Sequence, residues 1–359
     1  MSIFLYLFVA LLLYVLWLPT IRLGLKRVTC SRSFDKTAYY EGEEGRMIET
    51  IRNESAFIIP WLRLESRISP HMRLGSQENL DVSGNMYYRS VFAPMPHQQI
   101  RRIHKMKVLR RGLYDMGTAS LTAGDLLDVK RIQKACDLGI SITVYPRLLE
   151  EDQIPSVMSQ RLGDIANRRM LLQDPFLVRG IRPYLPGDPV RDIHWPATAR
   201  MQEAQLRIRD YTTDTRLLLV LNGQLEEMQW GDRLPDGKED IFEDAIRLAA
   251  TLCVHSVRRF GLSAGFASNM SLTGSSDTTL ILPMDNGGQE EELLSAFAKL
   301  DTSGYSMRFP AFLDSLAGFS GMDIMILSLY DSKSIRESMQ RLEEAGNKVS
   351  LHLLEGGKP

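Results

Sequence analysis

Two regimes of hydrophobic patterning divide the chain. Between residues 28 and 148 apolar and polar positions alternate in short runs, at 47–52, 58–65, 86–92, 108–117 and 140–146. Turn signals such as Asn53-Glu54-Ser55 and Ser83-Gly84-Asn85 separate them. Alternation with period two buries one face of a strand, so this half predicts an antiparallel β-sandwich. The pattern changes at Leu217. Leu217-Leu218-Leu219-Val220-Leu221 is unbroken apolar sequence, as a strand covered on both faces requires. Residues 239–260 then carry Ile241, Ala245, Leu248, Ala249, Leu252 and Ser256 along one helical stripe. Strands at 262–267, 279–282, 324–329 and 349–354 alternate with helices near 289–300 and 334–345. Residues 216–359 therefore predict an open, mostly parallel α/β domain. Between the two halves, 150–215 reads as a connector. Its first part, 150–173, is polar with some helical character, and 205–211 alternates like a half-buried strand.

The N-terminus departs from both regimes. Residues 1–21 hold no charged side chain, and at 1.5 Å per residue they are about long enough to cross a ~30 Å hydrocarbon core. A cleaved signal peptide would want a basic start and a small-residue cleavage site, and neither is present. The expectation is a transmembrane anchor. Arg22, Lys26, Arg27 and Arg32 follow it, which places the bulk of the chain on the cytoplasmic side of the cell membrane as a single-pass protein.

Composition narrows the functional classes. A formal charge of -1 over 359 residues argues against nucleic-acid binding by bulk electrostatics. Cys30, Cys136 and Cys253 are odd in number and far apart, so they form neither a disulfide framework nor a metal motif. The basic run Arg101-Arg102-Ile103-His104-Lys105-Met106-Lys107 reads as a solvated edge strand, with contact to anionic lipid as the sharper alternative. A charged loop at 231–238, beside Trp230, is a second candidate interaction surface.

The densest chemistry lies at 179–200, Arg-Gly-Ile-Arg-Pro-Tyr-Leu-Pro-Gly-Asp-Pro-Val-Arg-Asp-Ile-His-Trp-Pro-Ala-Thr-Ala-Arg. Pro186-Gly187-Asp188 makes a tight turn. In an architectural reading, Arg182, Arg191 and Arg200 pair with Asp188, Asp192 and backbone carbonyls, while Tyr184 and Trp195 fill a junction core. In a docking reading, arginine and aromatic residues form a partner-binding hot spot. An enzyme, such as a hydrolase using the Asp188/His194 region, is the remaining alternative. Asp192 and His194 are two apart, and on a strand they would face opposite ways; no serine or cysteine stands beside the histidine.

This motif resembles the hallmark of the bacterial domain-of-unknown-function family number 58. Arg182, Tyr184, Gly187, Asp188, Arg191, Ile193, Trp195, Thr198, Ala199 and Arg200 meet it at fixed spacing. Arg111-Gly112-Leu113-Tyr114, Gly117 and Tyr40-Glu41-Gly42-Glu43 extend the likeness along the chain. His194 and Pro196 depart from the usual acidic and polar residues. The resemblance implies that the α/β domain has a von Willebrand factor type A-like fold. It also implies a MoxR-type AAA+ ATPase as partner, with a co-encoded transglutaminase-like membrane protein. The role this suggests is a scaffold or adaptor in envelope-protein assembly or maturation, without enzymatic activity or cofactor. A metal-dependent adhesion module would need hard oxygen ligands at the end of the first α/β strand. Asn222 and Gln224 stand where an aspartate and a serine would serve, so no metal is expected there.

Overall fold

The computed structural model describes residues 8, 22–75, 80–83, 87–124, 131–171, 173–211, 216–229, 237–284 and 288–354. It divides into two compact units, Met1–Arg147 and Leu148–Pro359. The expected anchor, 1–21, lies almost wholly outside the described residues. Among those described, no helix is long and apolar enough to cross a membrane.

The first unit is built from twelve strands: β1 (Val28–Phe34), β2 (Ala38–Tyr40), β3 (Glu44–Asn53), β4 (Trp61–Arg67), β5 (Met72–Leu74), β6 (Leu80–Ser83), β7 (Tyr87–Phe92), β8 (Gln99–Val108), β9 (Gly112–Asp115), β10 (Thr118–Gly124), β11 (Arg131–Asp137) and β12 (Ser141–Tyr145). They form a four-stranded sheet ordered β1-β3-β8-β5, a five-stranded sheet ordered β11-β10-β4-β7-β6, and a small sheet ordered β2-β12-β9. Period-two burial is plain in β3, where Gly45, Met47, Glu49, Ile51 and Asn53 point inward. Two clusters fill the interior, one around Val28, Ile51, Leu62 and Leu121, the other around Tyr39, Met47, Tyr88 and Val144.

Two readings are corrected here. The basic run is an edge only in part, because β8 pairs with β3 from Gln99 to Lys107 while β5 covers its other side at Met106–Val108 alone. The stretch 108–117 is not one strand, because Leu109–Arg111 interrupt it and hydrogen bonds from Tyr114 Oη to the Arg110 and Arg111 carbonyls brace the bend.

A buried polar network crosses the sandwich interior. Arg32 on β1 and Glu49 on β3 are register partners, 2.8 Å apart, with both side chains fully buried. His104 Nε2 lies 3.1 Å from the other Glu49 oxygen. From the opposing sheet, Tyr88 donates to Glu49 and accepts from Arg32, and Ser66 Oγ accepts from Arg32 at 3.2 Å. Burial alone would raise the Glu49 pKa, but bonds from His104 and Tyr88 and the Arg32 charge bring it below the ordinary carboxylate range.

The second unit contains α1 (Ser156–Leu171), β13 (Gln173–Pro183), α2 (Trp195–Met201), β14 (Gln205–Tyr211), β15 (Arg216–Leu221), α3 (Glu239–Arg258), β16 (Ser263–Ser271), β17 (Thr278–Ile281), α4 (Gln289–Lys299), α5 (Phe309–Ser315), β18 (Met322–Ser328), α6 (Lys333–Glu344) and β19 (Lys348–Leu353). Five strands form a sheet ordered β17-β16-β15-β18-β19, parallel except for β17. Along β15, Leu217, Leu219 and Leu221 face a cluster with α1, α3 and Phe297, while Leu218 and Val220 face Phe309, Phe312, Leu313 and Ile335. Covering both faces explains the unbroken apolar run.

The stretch 150–173 is more than a connector. Met158, Leu162 and Ile165 recur at helical spacing and join the same core as α3. β13 and β14 form a separate two-stranded ribbon within this unit, and α2 lies between them in the chain.

Candidate docking site

The signature segment occupies the end of this ribbon. Arg182 pairs with Leu206 and Pro183 with Gln205, and the Tyr184 amide donates to the Ala204 carbonyl at 2.8 Å. Beyond them the chain turns through Gly187, whose φ of 106° is open to glycine and disfavoured for other residues. Asp188 organises this turn. Its two oxygens accept from Arg182 Nη1 at 2.7 Å and Nη2 at 2.8 Å, and Oδ2 also accepts from the Leu185 amide at 2.9 Å. Tyr184 Oη donates to the Asp188 carbonyl at 3.0 Å. The forked guanidinium matches the carboxylate plane, which fixes the loop better than a point charge would.

The Arg182 bond and the Leu185 amide hold the Asp188 carboxyl below its ordinary pKa of 3.8. That bracing is therefore complete above 3.8 and fades as pH falls through the lowered value. Asp188→Asn removes one arm of the fork at every pH. We expect faster hydrogen exchange at the Leu185 amide in the variant and loss of the wild type's acid dependence. Unchanged protection across pH would refute this role.

After a 3₁₀ turn at Val190–Asp192, the Ile193 backbone bridges to Leu206 and the His194 amide donates to the Gln205 carbonyl at 2.7 Å. His194 caps α2. Its Nδ1 accepts from the Ala197 amide at 3.0 Å, so that nitrogen carries no proton in this arrangement. Thr198 Oγ1 donates to the His194 carbonyl at 3.1 Å and accepts from the Gln205 amide at 2.9 Å, tying the helix back to β14. Both Asp188 oxygens and His194 Nδ1 are thus engaged in loop and cap bonds. A nucleophile–base constellation is not what these contacts build.

Two parts of the architectural reading need correction. Trp195 does not fill a core; it is 64% exposed. Ala197 is the buried residue of α2, and two positions along a helix are about 200° apart, so Trp195 projects away from the packed face. Arg191 is not a bracing arginine either. Its side chain is 86% exposed, with Nε 3.9 Å from Asp192. Arg200 is also exposed. The segment accordingly separates into an inner brace (Arg182, Tyr184, Gly187, Asp188, His194, Thr198) and an outward set (Arg191, Trp195, Arg200).

Sequence reasoning missed the apolar companions of Trp195. Leu185, Val190 and Met201 are each about as exposed as the tryptophan, and Ile181 and Ile208 are partly so. A signal was available: apolar residues inside a Pro/Gly-rich stretch have no periodic partner with which to share a core.

The other sequence candidates are placed as follows. Asn222 and Gln224 are buried at the end of β15, and their oxygens accept backbone amides, from Gln224 at 3.0 Å and Phe309 at 2.6 Å respectively. Asn222 Nδ2 donates to Ser328 Oγ at 2.9 Å. These amides tie loops to strand ends. Among the described residues no group of three or more His, Cys, Asp or Glu side chains could hold a metal ion. Most of the 231–238 loop lies outside the described residues.

No family model matches the chain, and no curated relative matches it significantly. Solved structures similar to about a third of the chain include two cohesins and a CARDB domain. A type I cohesin from Pseudobacteroides cellulosolvens is 13% identical, covering 34% of this chain and 96% of its own, with a TM-score of 0.22. A cohesin from Archaeoglobus fulgidus is 12% identical over 34% of this chain and 95% of its own, also at 0.22. A CARDB domain from Pyrococcus furiosus, crystallised with di-metal ions, is 10% identical over 33% and 86%, again at 0.22. The combination expected from the sequence is corrected to what the described residues show: no helix among them is long and apolar enough to cross a membrane, the first unit has sandwich-like sheets, and the second has a mostly parallel sheet with helices.

Proposed function

We propose that the chain is a non-enzymatic docking scaffold whose partner-binding surface is the outward side of the 181–208 segment. The observation that carries this reading is the exposure of Trp195 together with Leu185, Val190 and Met201, on a loop held by the Arg182–Asp188 fork. An aromatic with neighbouring arginines on a pre-ordered loop is the composition of an interaction hot spot, since little ordering entropy remains to be lost on binding. The partner implied by the family resemblance of the motif is a MoxR-type AAA+ ATPase.

The test is an affinity capture of the full chain from lysate with and without a nucleotide trap, comparing wild type with Trp195→Ala and Arg191→Ala. Hot-spot truncations cost at least about 2 kcal/mol, so affinity for the ATPase should fall roughly 30-fold. Melting should hardly change, because neither side chain is buried. Wild-type capture by both variants would remove the surface from this role. Absence of an AAA+ ATPase under trapping would remove the named partner.

A further inference from the structure

The two units carry opposite charge. Residues 1–147 hold 21 Lys and Arg against 13 Asp and Glu, whereas 148–359 hold 22 against 31. The near-neutral total conceals this asymmetry. Six of the first unit's cations share the outer face of the four-stranded sheet. Register places Arg101 opposite Thr50, Lys105 opposite Arg46 and Lys107 opposite both Glu44 and Arg73. Arg46, Arg52, Arg73, Arg101, Lys105 and Lys107 are all exposed. Ile103 lies among them, 44% exposed and opposite Ile48. Like charges directly across a strand pair are unfavourable; Lys107 has Glu44 opposite it, whereas Lys105, opposite Arg46, has no acid across from it in register and favours an anionic partner.

We infer that this basic sheet face binds the acidic second unit of another copy of the chain. Three other anions fit it less well. Single-stranded nucleic acid would want aromatic side chains for stacking, and β1, β3 and β8 present none among those exposed positions. Duplex DNA would want an element that enters a groove, and these cations lie on a sheet face rather than on a helix or two-stranded ribbon. An anionic bilayer would meet Asp35, Glu44 and Glu54 at the rim of the same face; Glu54 already contacts Arg52 at 3.4 Å. A folded protein surface can set its own cations against those acids. The chain itself supplies a complementary surface. Glu226 and Glu227 follow β15, and Glu239 and Asp240 open α3, so all four lie at the C-terminal edge of the parallel strands and all are exposed.

Sedimentation velocity of the full chain from 1 to 100 μM, in about 50 mM and about 500 mM NaCl, tests this. Screening shortens the Debye length severalfold over that range, so self-association should appear at low salt and weaken at least tenfold at high salt. Arg101→Glu/Lys105→Glu/Lys107→Glu should be monomeric throughout. So should Glu239→Lys/Asp240→Lys, a second variant that leaves the sandwich untouched. Mixing the two reversed proteins should restore a heterocomplex. A wild-type chain that stays monomeric at 100 μM and low salt would overturn the inference. Association that survives both reversals would overturn it as well, as would binding to anionic vesicles or duplex DNA without self-association.

Discussion

Glu49→Ala should destabilise the first unit by about 3–5 kcal/mol, the cost of leaving a buried charge without its partner. The charge left behind is the Arg32 guanidinium. It is fully buried, and Glu49 is the carboxylate facing it at 2.8 Å. Ser66 Oγ and the Met116 carbonyl, which accept from Arg32 Nη1, cannot neutralise it. His104 and Tyr88 would lose their acceptor at the same time. The double replacement Arg32→Met/Glu49→Leu should recover most of the loss, because removing both charges also removes their desolvation cost. Denaturant unfolding followed by a first-unit probe reads this directly. A loss below 1 kcal/mol in the single variant would show that the network is not the tight pair its geometry describes.

The sign of the acid response follows from the same contacts. With its pKa held below the ordinary 4.5, Glu49 contributes stability that is complete above that value and lost as pH falls through the lowered one. Glu49→Gln should therefore flatten the acid limb of the stability curve.

How much of this was legible in the sequence depends on where each interaction's partners lie along the chain. The Leu217–Leu221 run and the stripe on α3 report burial by neighbours a few residues apart, and the structure places a strand and a helix there. The Arg182–Asp188 fork spans six residues and could be read from the turn between its arms. The Arg32–Glu49–His104–Tyr88 network could not. Its members come from four strands, and in sequence each looks like the polar half of an alternating pattern. The pattern shows which residues share a face but not which face is covered when both carry polar groups. Trp195 failed for a related reason: an aromatic residue in a motif suggests a core, yet a seven-residue helix has room to bury little more than Ala197. Helix α5 was not anticipated at all. Phe309, Phe312, Leu313 and Leu316 have helical spacing, but Pro310 reads as a breaker unless it falls in the first turn, which is where it sits.

Gly265→Ala should cost about 3 kcal/mol, at the upper end for overpacking, although it adds a single methyl group to a strand. Gly265 lies in β16, paired on one side with Leu218 of β15, while β17 runs along the other. A Cβ there would stand 2.5 Å from the Ile281 carbonyl oxygen and 2.7 Å from the Pro283 nitrogen. Both are backbone atoms, so no rotamer change relieves the overlap. Relief at Gly265 must come from shifting the 281–283 backbone. That segment leads to Gln289, whose side chain donates to the Ala264 carbonyl, and then to α4, whose Phe297 packs 4.3 Å from Phe266. The damage should therefore spread to β17 and α4 and spare the β13–β14 ribbon. Hydrogen exchange would show this as lost protection in 278–299 with unchanged protection in 180–208. Equal losses in both regions, or a Gly265→Ala protein as stable as wild type, would mean that this strand edge is looser than its contacts require.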